Sequence, residues 1–203
     1  MYKRQTPTLT IGDAGAEDTK IVFDGNAQDY YIGLDDTDDD FKIGLGSAVG
    51  TTAHMVFDET GAITEPLQPC FFGTTATIAN CTGDGTELTC TPVEVVDRNG
   101  DFSGTDFTAP VTGLYMINFN CFLGGLTSGM TAGRAYIDTS NRGYYNNVDW
   151  GSVASGGTSY GNCQTVIADL DASDVVRFKV YADNGSKVAD LEDVTTFGIW
   201  LLG

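Results

Sequence analysis

Residues Asp106 to Phe122 read DFTAPVTGLYMINFNCF and give the strongest indication of the fold. Its first part ends at Pro110, which cannot donate a hydrogen bond to a neighbouring strand and therefore belongs at a strand boundary. Gly113 then lets the chain restart as a new strand. From Leu114 to Phe122 the side chains alternate in character, with the period of a β-strand. We therefore predict two consecutive strands that are separated by a turn.

The composition of the whole chain favours an all-β fold. Its 203 residues include 26 Gly, 9 Tyr and 11 Phe. Glycine marks turns, and aromatic side chains are enriched in strands. No window shows a sustained helical period of 3.6 residues, whereas the best apolar runs alternate. We therefore predict short strands that are joined by many turns.

The charge of the chain limits its partners. Ten Lys and Arg against 28 Asp and Glu give a net charge of −18. Such a surface repels phosphate, so nucleic acid is excluded as a partner. No stretch reaches the roughly 18 apolar residues that a membrane helix needs, so we predict no membrane insertion. The opening residues 1–5 lead into no apolar signal segment. They resemble an adapter remnant of metagenomic reading frames, so we predict that they are non-native and that the true start lies upstream.

The cysteines leave one question open. Five Cys without a C-x-x-C spacing argue against a zinc site. Cys121 and Cys163 lie in strand-like sequence and are expected to behave as small core side chains. Cys81 and Cys90 flank a turn-like segment, where a hairpin would place them opposite or diagonal to each other. The sequence does not decide whether they form a disulfide.

The segment Asp106–Phe122 resembles the signature of the globular head of complement C1q and its tumour-necrosis-factor-like relatives. The end of the chain, Phe197-Gly-Ile-Trp-Leu-Leu202, resembles the closing strand of that family. The resemblance covers residues 70–203 and implies a jelly-roll head that assembles as a homotrimer. The positions that match the family motif are Phe107, Ala109, Pro110, Gly113, Tyr115, Phe119, Phe197, Gly198 and Leu201.

The resemblance also implies an order of strands in this head. It begins with Cys70 to Ile78 and continues with Glu94 to Asp97 before the central pair of strands. The later strands are expected at Arg134 to Asp138, Cys163 to Leu170, Val175 to Tyr181 and Thr196 to Leu202.

Residues 1–65 differ from the rest of the chain. Val-Phe-Asp and Ile-Gly-Leu each occur twice there, which suggests a degenerate repeat. Five short strand-like pieces are expected at Thr8–Gly12, Lys20–Gly25, Tyr30–Leu34, Phe41–Gly46 and His54–Asp58. Some 60 residues of this kind can hardly form a core alone. The segment resembles the β shafts of trimeric phage fibres, and we predict a repetitive shaft that stacks against two further copies of itself.

A short linker separates the two parts. Pro66 and Pro69 restrict the residues before them to extended conformations. The junction at residues 66–69 resembles the one that precedes such heads in marine phage virion proteins. We therefore predict a shaft or attachment segment at 1–65, a proline linker at 66–69 and a jelly-roll head at 70–203.

Acidic clusters raise the question of a cation. The run Asp35 to Asp40 could bind calcium through carboxylate oxygens, but it lacks the Gly and the distal Glu of an EF-hand loop, and a solvated turn explains it as well. A second acidic cluster lies at Asp169, Asp171 and Asp174. The predicted metal ligands are Asp190, Glu192 and Asp193. Calcium is the only cofactor that these clusters suggest.

The Gly- and Ser-rich stretch from Asn141 to Tyr160 is the predicted recognition loop. Aromatic rings give flat apolar area, and Asn and Asp give directional hydrogen bonds, which suits a sugar or protein contact. The alternative is that one or two of the rings pack in the sandwich or against a neighbouring copy. The predicted ligand-binding residues are Tyr144, Tyr145, Asn147, Asp149 and Trp150.

Catalysis is not expected. His54 is the only histidine, and it lies in the shaft-like half, far in sequence from every Cys. No pair of carboxylates has a separation that the sequence determines, so a glycosidase is not indicated. We predict that the chain is not an enzyme and that it has no catalytic residues.

The predicted function is a phage fibre or spike protein, a structural component of the virion. Its trimeric head would bind a host surface glycan or protein, and its N-terminal part would contact other virion proteins. Two alternatives remain at this point: a secreted or surface bacterial lectin or adhesin, and a capsid decoration protein. Neighbouring tail and portal genes would favour the fibre, whereas an upstream signal peptide would favour the bacterial adhesin.

Overall fold

The computed structural model describes residues 8–154 and 157–203. The prediction that residues 1–5 are non-native lies outside the described residues. The chain divides into two compact units, Met1–Gln68 and Pro69–Gly203. This division falls inside the predicted linker at residues 66–69.

The N-terminal unit is a single antiparallel sheet. Each strand pairs with the next one along the chain, as in a meander. Four of the five predicted pieces form strands, whereas Thr8–Gly12 does not, and its last residue has a φ of +92°. That angle is incompatible with an extended strand. The strands are β1 Thr19–Phe23, β2 Tyr30–Asp35, β3 Asp40–Leu45, β4 Ala53–Phe57 and β5 Ile63–Thr64.

One face of this sheet is apolar and uncovered. Ile21, Ile32 and Ile43 face one another across β1, β2 and β3, since successive strands pair them in register. Phe23 is 56% exposed and Ile63 is 62% exposed. The further apolar side chains of this face are Tyr30, Leu34, Phe41, Leu45, Met55 and Phe57.

The opposite face of the sheet is covered by the β3–β4 connection. The hydroxyl of Tyr31 accepts a hydrogen bond from the backbone N–H of Gly50 (3.1 Å). A Cβ at Gly44 would lie 2.3 Å from the carbonyl oxygen of Thr52, so this position has no room for a side chain. The repeated Ile-Gly-Leu therefore places Ile and Leu on the open face and Gly where the backbone needs space.

A nearly buried ion pair lies on this covered face. The Nζ of Lys42 contacts Asp35 at 2.8 Å and Asp38 at 2.6 Å. The hydrogen bond from Lys42 holds the pKa of Asp35 below its usual value. Burial disfavours the charged form of Lys42, but its hydrogen bonds to both carboxylates more than offset this and raise its pKa. Lys42 therefore pairs with two of the five carboxylates in the acidic turn that the sequence had offered as a calcium site.

The C-terminal unit is the predicted all-β jelly-roll sandwich of two antiparallel sheets. The first sheet contains β7 Ile78–Thr82, β17 Ala189–Leu191, β12 Gly113–Gly124, β18 Thr196–Leu201, β6 Cys70–Thr74 and β9 Val93–Asp97, with β15 Tyr160–Leu170 paired to β12. The second sheet contains β10 Phe102–Ser103, β11 Asp106–Thr108, β16 Val175–Asp183, β13 Ala132–Thr139 and β14 Gly143–Asn147, with β8 Glu87–Thr89 paired to β16. One short helix, α1, spans Trp150–Ala154.

The motif of the opening stretch carries the chain from one sheet to the other. β11 belongs to the second sheet and β12 to the first. The Tyr115 hydroxyl donates a hydrogen bond to the carbonyl of Val111 at 2.7 Å and so fixes the connection directly after Pro110. Phe107 and Tyr115 are fully buried and meet edge to face, with ring centroids 6.0 Å apart. The predicted pair of strands is confirmed.

The core lies between the inward faces of the two sheets. Phe119 from β12 contacts Phe178 from β16 and Phe197 from β18, each at a centroid distance of 5.3 Å. Phe71 stacks on Phe102 at 4.2 Å. Rings from both sheets therefore interlock, which is how a sandwich of this size excludes water.

The structure answers the open question about Cys81 and Cys90 and corrects the expectation for Cys163. β7 and β8 do not form a hairpin, because β7 joins the first sheet and β8 the second. Cys81 and Cys90 are free thiols in the core, where burial raises the pKa of each. Cys163 is exposed, since it points outward from β15, whereas Cys121 is buried as expected.

No helix in the part of the chain that the structure describes has the length and hydropathy of a membrane span.

Candidate functional site

Three neighbouring strands of the second sheet build an outward surface. In register, Arg134 on β13 lies between Asn147 on β14 and Tyr181 on β16. Tyr136 lies one row further along, beside Tyr145. The residues between these positions, Ala135, Ile137, Phe178 and Val180, are buried in the core. Because strand side chains alternate, Arg134, Tyr136, Tyr145, Asn147 and Tyr181 share the outer face, and we call them the Arg134 surface.

Three tyrosine rings surround the guanidinium of Arg134. Its central carbon lies 5.0 Å from the ring centroid of Tyr136, 4.9 Å from that of Tyr145 and 5.4 Å from that of Tyr181. These distances are those of cation–π contacts. Among the described residues, no hydrogen-bond acceptor or carboxylate pairs with Arg134, and its Nε is buried without a partner. The guanidinium is thus held in place by rings and retains its donors.

The acidic groups around this surface already have partners. The Nζ of Lys179 pairs with Asp138 at 2.8 Å and with Glu87 at 3.3 Å. The hydroxyl of Tyr136 donates a hydrogen bond to Glu87. Burial, and secondly this bond to a carboxylate, raises the pKa of Tyr136. Lys179 therefore pairs with both carboxylates on one side of the surface, and Arg134 pairs with neither.

The hydroxyl of Tyr181 fixes a second carboxylate. It donates a hydrogen bond to Asp183 at 2.7 Å. This bond lowers the pKa of Asp183 and raises that of Tyr181. Asp183 is therefore charged at neutral pH, and its charge is directed to Tyr181 and to the N–H of Asn184.

A shallow groove lies at one end of the Arg134 surface. One depression of about 290 Å³ is lined by Ala132, Gly133, Arg134, Asn147 and Tyr181. A second, of about 330 Å³, shares three of these residues and extends to Val148 and Asp149. Asp149 accepts hydrogen bonds from the N–H and the hydroxyl of Ser152 (3.2 and 2.7 Å), which lower its pKa. The groove thus presents a cation, an amide and a carboxylate.

Trp150 lies beneath this groove, so its assignment as a ligand contact is corrected. Its side chain is 0% exposed, and its Nε1 donates a hydrogen bond to the carbonyl of Tyr181 at 3.1 Å. A Cβ at Gly133 would lie only 1.9 Å from Nε1, so the indole needs glycine at that position. Trp150 anchors α1 and the start of β13. It therefore packs in the sandwich, which is the alternative that the sequence analysis left open.

The other predicted ligand contacts are divided between two faces. Tyr145, Asn147 and Asp149 are exposed at the surface or groove. Tyr144 points to the inner side, where it packs against the core, and its carbonyl accepts a hydrogen bond from Gln164 at 2.9 Å. The predicted recognition loop contains regular structure, since Gly143–Asn147 form β14 and Trp150–Ala154 form α1.

Sequence reasoning missed Arg134, Tyr136 and Tyr181. Their signal is the alternation of basic and tyrosine residues on two strands, Arg134-x-Tyr136 and Lys179-x-Tyr181. Nothing in the local sequence shows that β13 and β16 are neighbours, and their pairing is what brings the three rings around Arg134.

The predicted metal ligands do not form a site. Asp190 accepts a hydrogen bond from the N–H of Asn80 at 2.6 Å, and Glu192 accepts one from the hydroxyl of Thr77 at 3.5 Å. These two residues and Asp193 do not bring three carboxylates within reach of one ion. Within residues 8–154 and 157–203, only Asp40, Asp58 and Glu59 come that close together, and Asp58 already accepts hydrogen bonds from Thr60.

No protein-family model matches the chain, and no curated protein matches it in sequence. Solved structures do resemble it. The globular domain of zebrafish complement 1qA protein is 16% identical, with a TM-score of 0.47, over 67% of this chain and 98% of that one. Murine APRIL is 12% identical, with a TM-score of 0.47, over 66% and 99%. The PRD1 vertex protein P5 is 11% identical, with a TM-score of 0.44, over 68% and 99%.

Proposed function

We propose that the protein is a homotrimeric attachment protein of a virion, whose C-terminal unit binds a glycan on the host surface. The N-terminal unit would contact other virion proteins, and no chemical reaction would be performed. The observation that carries this proposal is that the two outward sheet faces of the C-terminal unit differ in chemistry. One carries an apolar row and suits self-association, whereas the other presents the Arg134 surface and suits a polar ligand.

The apolar row lies on the first sheet. Across β15, β12 and β18, Ile167, Met116 and Trp200 lie in one row. Ile167 is 61% exposed, and Trp200 is half-buried although it faces outward. A Cβ at Gly198 would lie 2.2 Å from the Trp200 ring, so glycine there lets the indole lie flat on the sheet. Exposed apolar area of this kind indicates a protein contact.

Two features support a trimer. The apolar row lies on a sheet of the jelly-roll head for which the sequence resemblance implies three copies. The open face of the N-terminal sheet is a second apolar surface that has no cover within the described chain. Three copies that associate through both surfaces would bury exposed apolar area of each unit.

Light scattering on the full chain at micromolar concentration tests the assembly. We expect about three times the chain mass of 21.5 kDa. Met116→Asp should lower the mass toward that of one chain, because it buries a charge in the proposed interface. Arg142→Gln, a change at an exposed ion pair, should leave it unchanged. A stable folded monomer of the unmodified chain would reject the trimer.

A glycan array probed with the full chain, with and without a chelator, tests the ligand. We expect binding to a subset of surface glycans that persists in chelator, since the predicted calcium ligands do not converge. Adhesion to host cells that survives enzymatic removal of their glycans would reject a glycan receptor.

A further inference from the structure

Arg134 differs from the cations of the chain that form ion pairs. Lys42, Arg142, Arg177 and Lys179 each contact at least one carboxylate. Arg134 contacts three tyrosine rings instead, and among the described residues it has no acceptor. In a chain with 28 acidic residues, a partly buried arginine that avoids all of them marks a place where an external anion can bind.

The geometry holds this guanidinium ready for a ligand. Its Nε is buried and three rings lie within 5.4 Å of its central carbon, which restricts the side chain, while Arg134 itself lines the groove. A fixed guanidinium presents two parallel donors that match the two oxygens of a carboxylate. Little side-chain entropy would be lost on binding, since the three rings already restrict the side chain.

The surrounding charges select the kind of anion. The net charge of −18, together with Asp149 and Asp183 near the groove, disfavours polyanions such as nucleic acid or highly sulfated chains. A single negative charge on a polar, otherwise neutral molecule avoids that repulsion. Asn147 offers amide hydrogen bonds beside the arginine, and Tyr145, which is 52% exposed, offers a flat ring for the apolar face of a sugar.

We propose that the Arg134 groove binds a sugar unit that carries one carboxylate, with Arg134 pairing with the carboxylate and Asn147 contacting a hydroxyl. This inference rests on the proposed function, because it names the class of glycan that the head would recognise. Tyr136, Tyr145 and Tyr181 are positioning residues for the guanidinium, and Trp150 supports the floor of the groove.

The test uses the full chain and a matched pair of probes, an oligosaccharide that carries one glucuronic acid unit and the methyl ester of that unit, in which the carboxylate charge is removed. Calorimetry should show binding of the acid and at least tenfold weaker binding of the ester. Arg134→Gln should weaken binding of the acid at least tenfold, and Arg134→Lys should restore it only in part, because lysine lacks the paired donors. Arg142→Gln is the matched control and should bind as the unmodified chain does.

The possible results distinguish a failure of the carboxylate inference from a failure of the proposed function. Equal binding of acid and ester, or unchanged binding by both Arg134 variants with unchanged melting temperatures, overturns the carboxylate inference. In that case, glycan-dependent adhesion to host cells would leave the proposed function intact. If the chain binds neither probe nor any acidic glycan on the array but does bind neutral ones, only the further inference fails. If it binds no glycan at all, both fail.

Discussion

The two units use the same antiparallel pairing but cover their apolar faces differently. In the C-terminal unit a second sheet covers the first, and every member of the buried apolar cluster belongs to that unit. In the N-terminal unit Tyr31 and Val49 are the only hydrophobic side chains of the described residues that are buried. The comparison shows that strand pairing alone does not make a core, since a sheet needs a layer against its apolar face.

Separation of the two units is expected to have the largest effect. Residues 69–203 alone should melt cooperatively, because their core is complete. Residues 1–68 alone should not melt cooperatively as a monomer, since one apolar face stays in water. Circular dichroism with sedimentation on both fragments measures this. A monomeric, sharply melting fragment of residues 1–68 would show that the open face needs no cover.

Replacement of one phenylalanine in each unit tests how much a covered and an uncovered ring contribute to stability. Phe119→Ala should destabilise the C-terminal unit by about 4 kcal/mol, because it leaves a cavity between two other rings. Phe23→Ala removes the same atoms from a ring that is 56% exposed and should cost the N-terminal unit much less. Trp150 and Trp200, the two tryptophans of the chain, report unfolding of the C-terminal unit by fluorescence in urea, and hydrogen exchange of the β1 and β2 amides reports that of the N-terminal unit. Similar losses for both variants would contradict the contrast.

The ion pair of the N-terminal unit should have a smaller and local effect. Lys42→Met leaves Asp35 buried without its cation and should cost about 3 kcal/mol. Hydrogen exchange of the β2 and β3 amides measures the loss. Lys20→Met, an exposed lysine on the same face, is the control and should cost little. Unchanged protection in Lys42→Met would mean that the pair does not stabilise the sheet.

The same pair predicts a dependence on pH. The pKa of Asp35 in the folded chain lies below its unfolded value of about 3.9, chiefly through the hydrogen bond from Lys42. Its stabilisation is therefore present at neutral pH and is lost as the pH falls below about 4. The pKa of Lys42 is raised, so its contribution is lost above about pH 10.4. In Lys42→Met the protection of β2 and β3 should no longer decrease on acidification, because burial then raises the pKa of Asp35.

Much of the fold follows from local sequence. The alternation from Leu114 to Phe122 and the restart after Pro110 both correspond to real features of the chain, β12 and the turn before it. Both copies of Ile-Gly-Leu lie in predicted strands, β2 and β3. These signals are readable because the period of two and the backbone limits of Pro and Gly belong to the residues themselves.

Other features depend on which elements meet. Cys81 and Cys90 flank a turn, yet their strands join opposite sheets. Trp150 lies in a polar, glycine-rich stretch that favours exposure, yet Gly133 leaves space for it in the core. Cys163 follows the period of a strand, but no layer within the described residues covers its side of β15.

Local sequence therefore indicates most of the strands and the side chains that share a face. Which face is covered follows from the packing of distant elements, and so does the finding that Trp150 is a support and Arg134 the candidate ligand contact. The physical reason is that alternation is a local property of the backbone, whereas burial depends on the arrival of a second layer from a distant part of the chain. The three tyrosine rings around Arg134 are an example, since β13, β14 and β16 must pair before these rings come together.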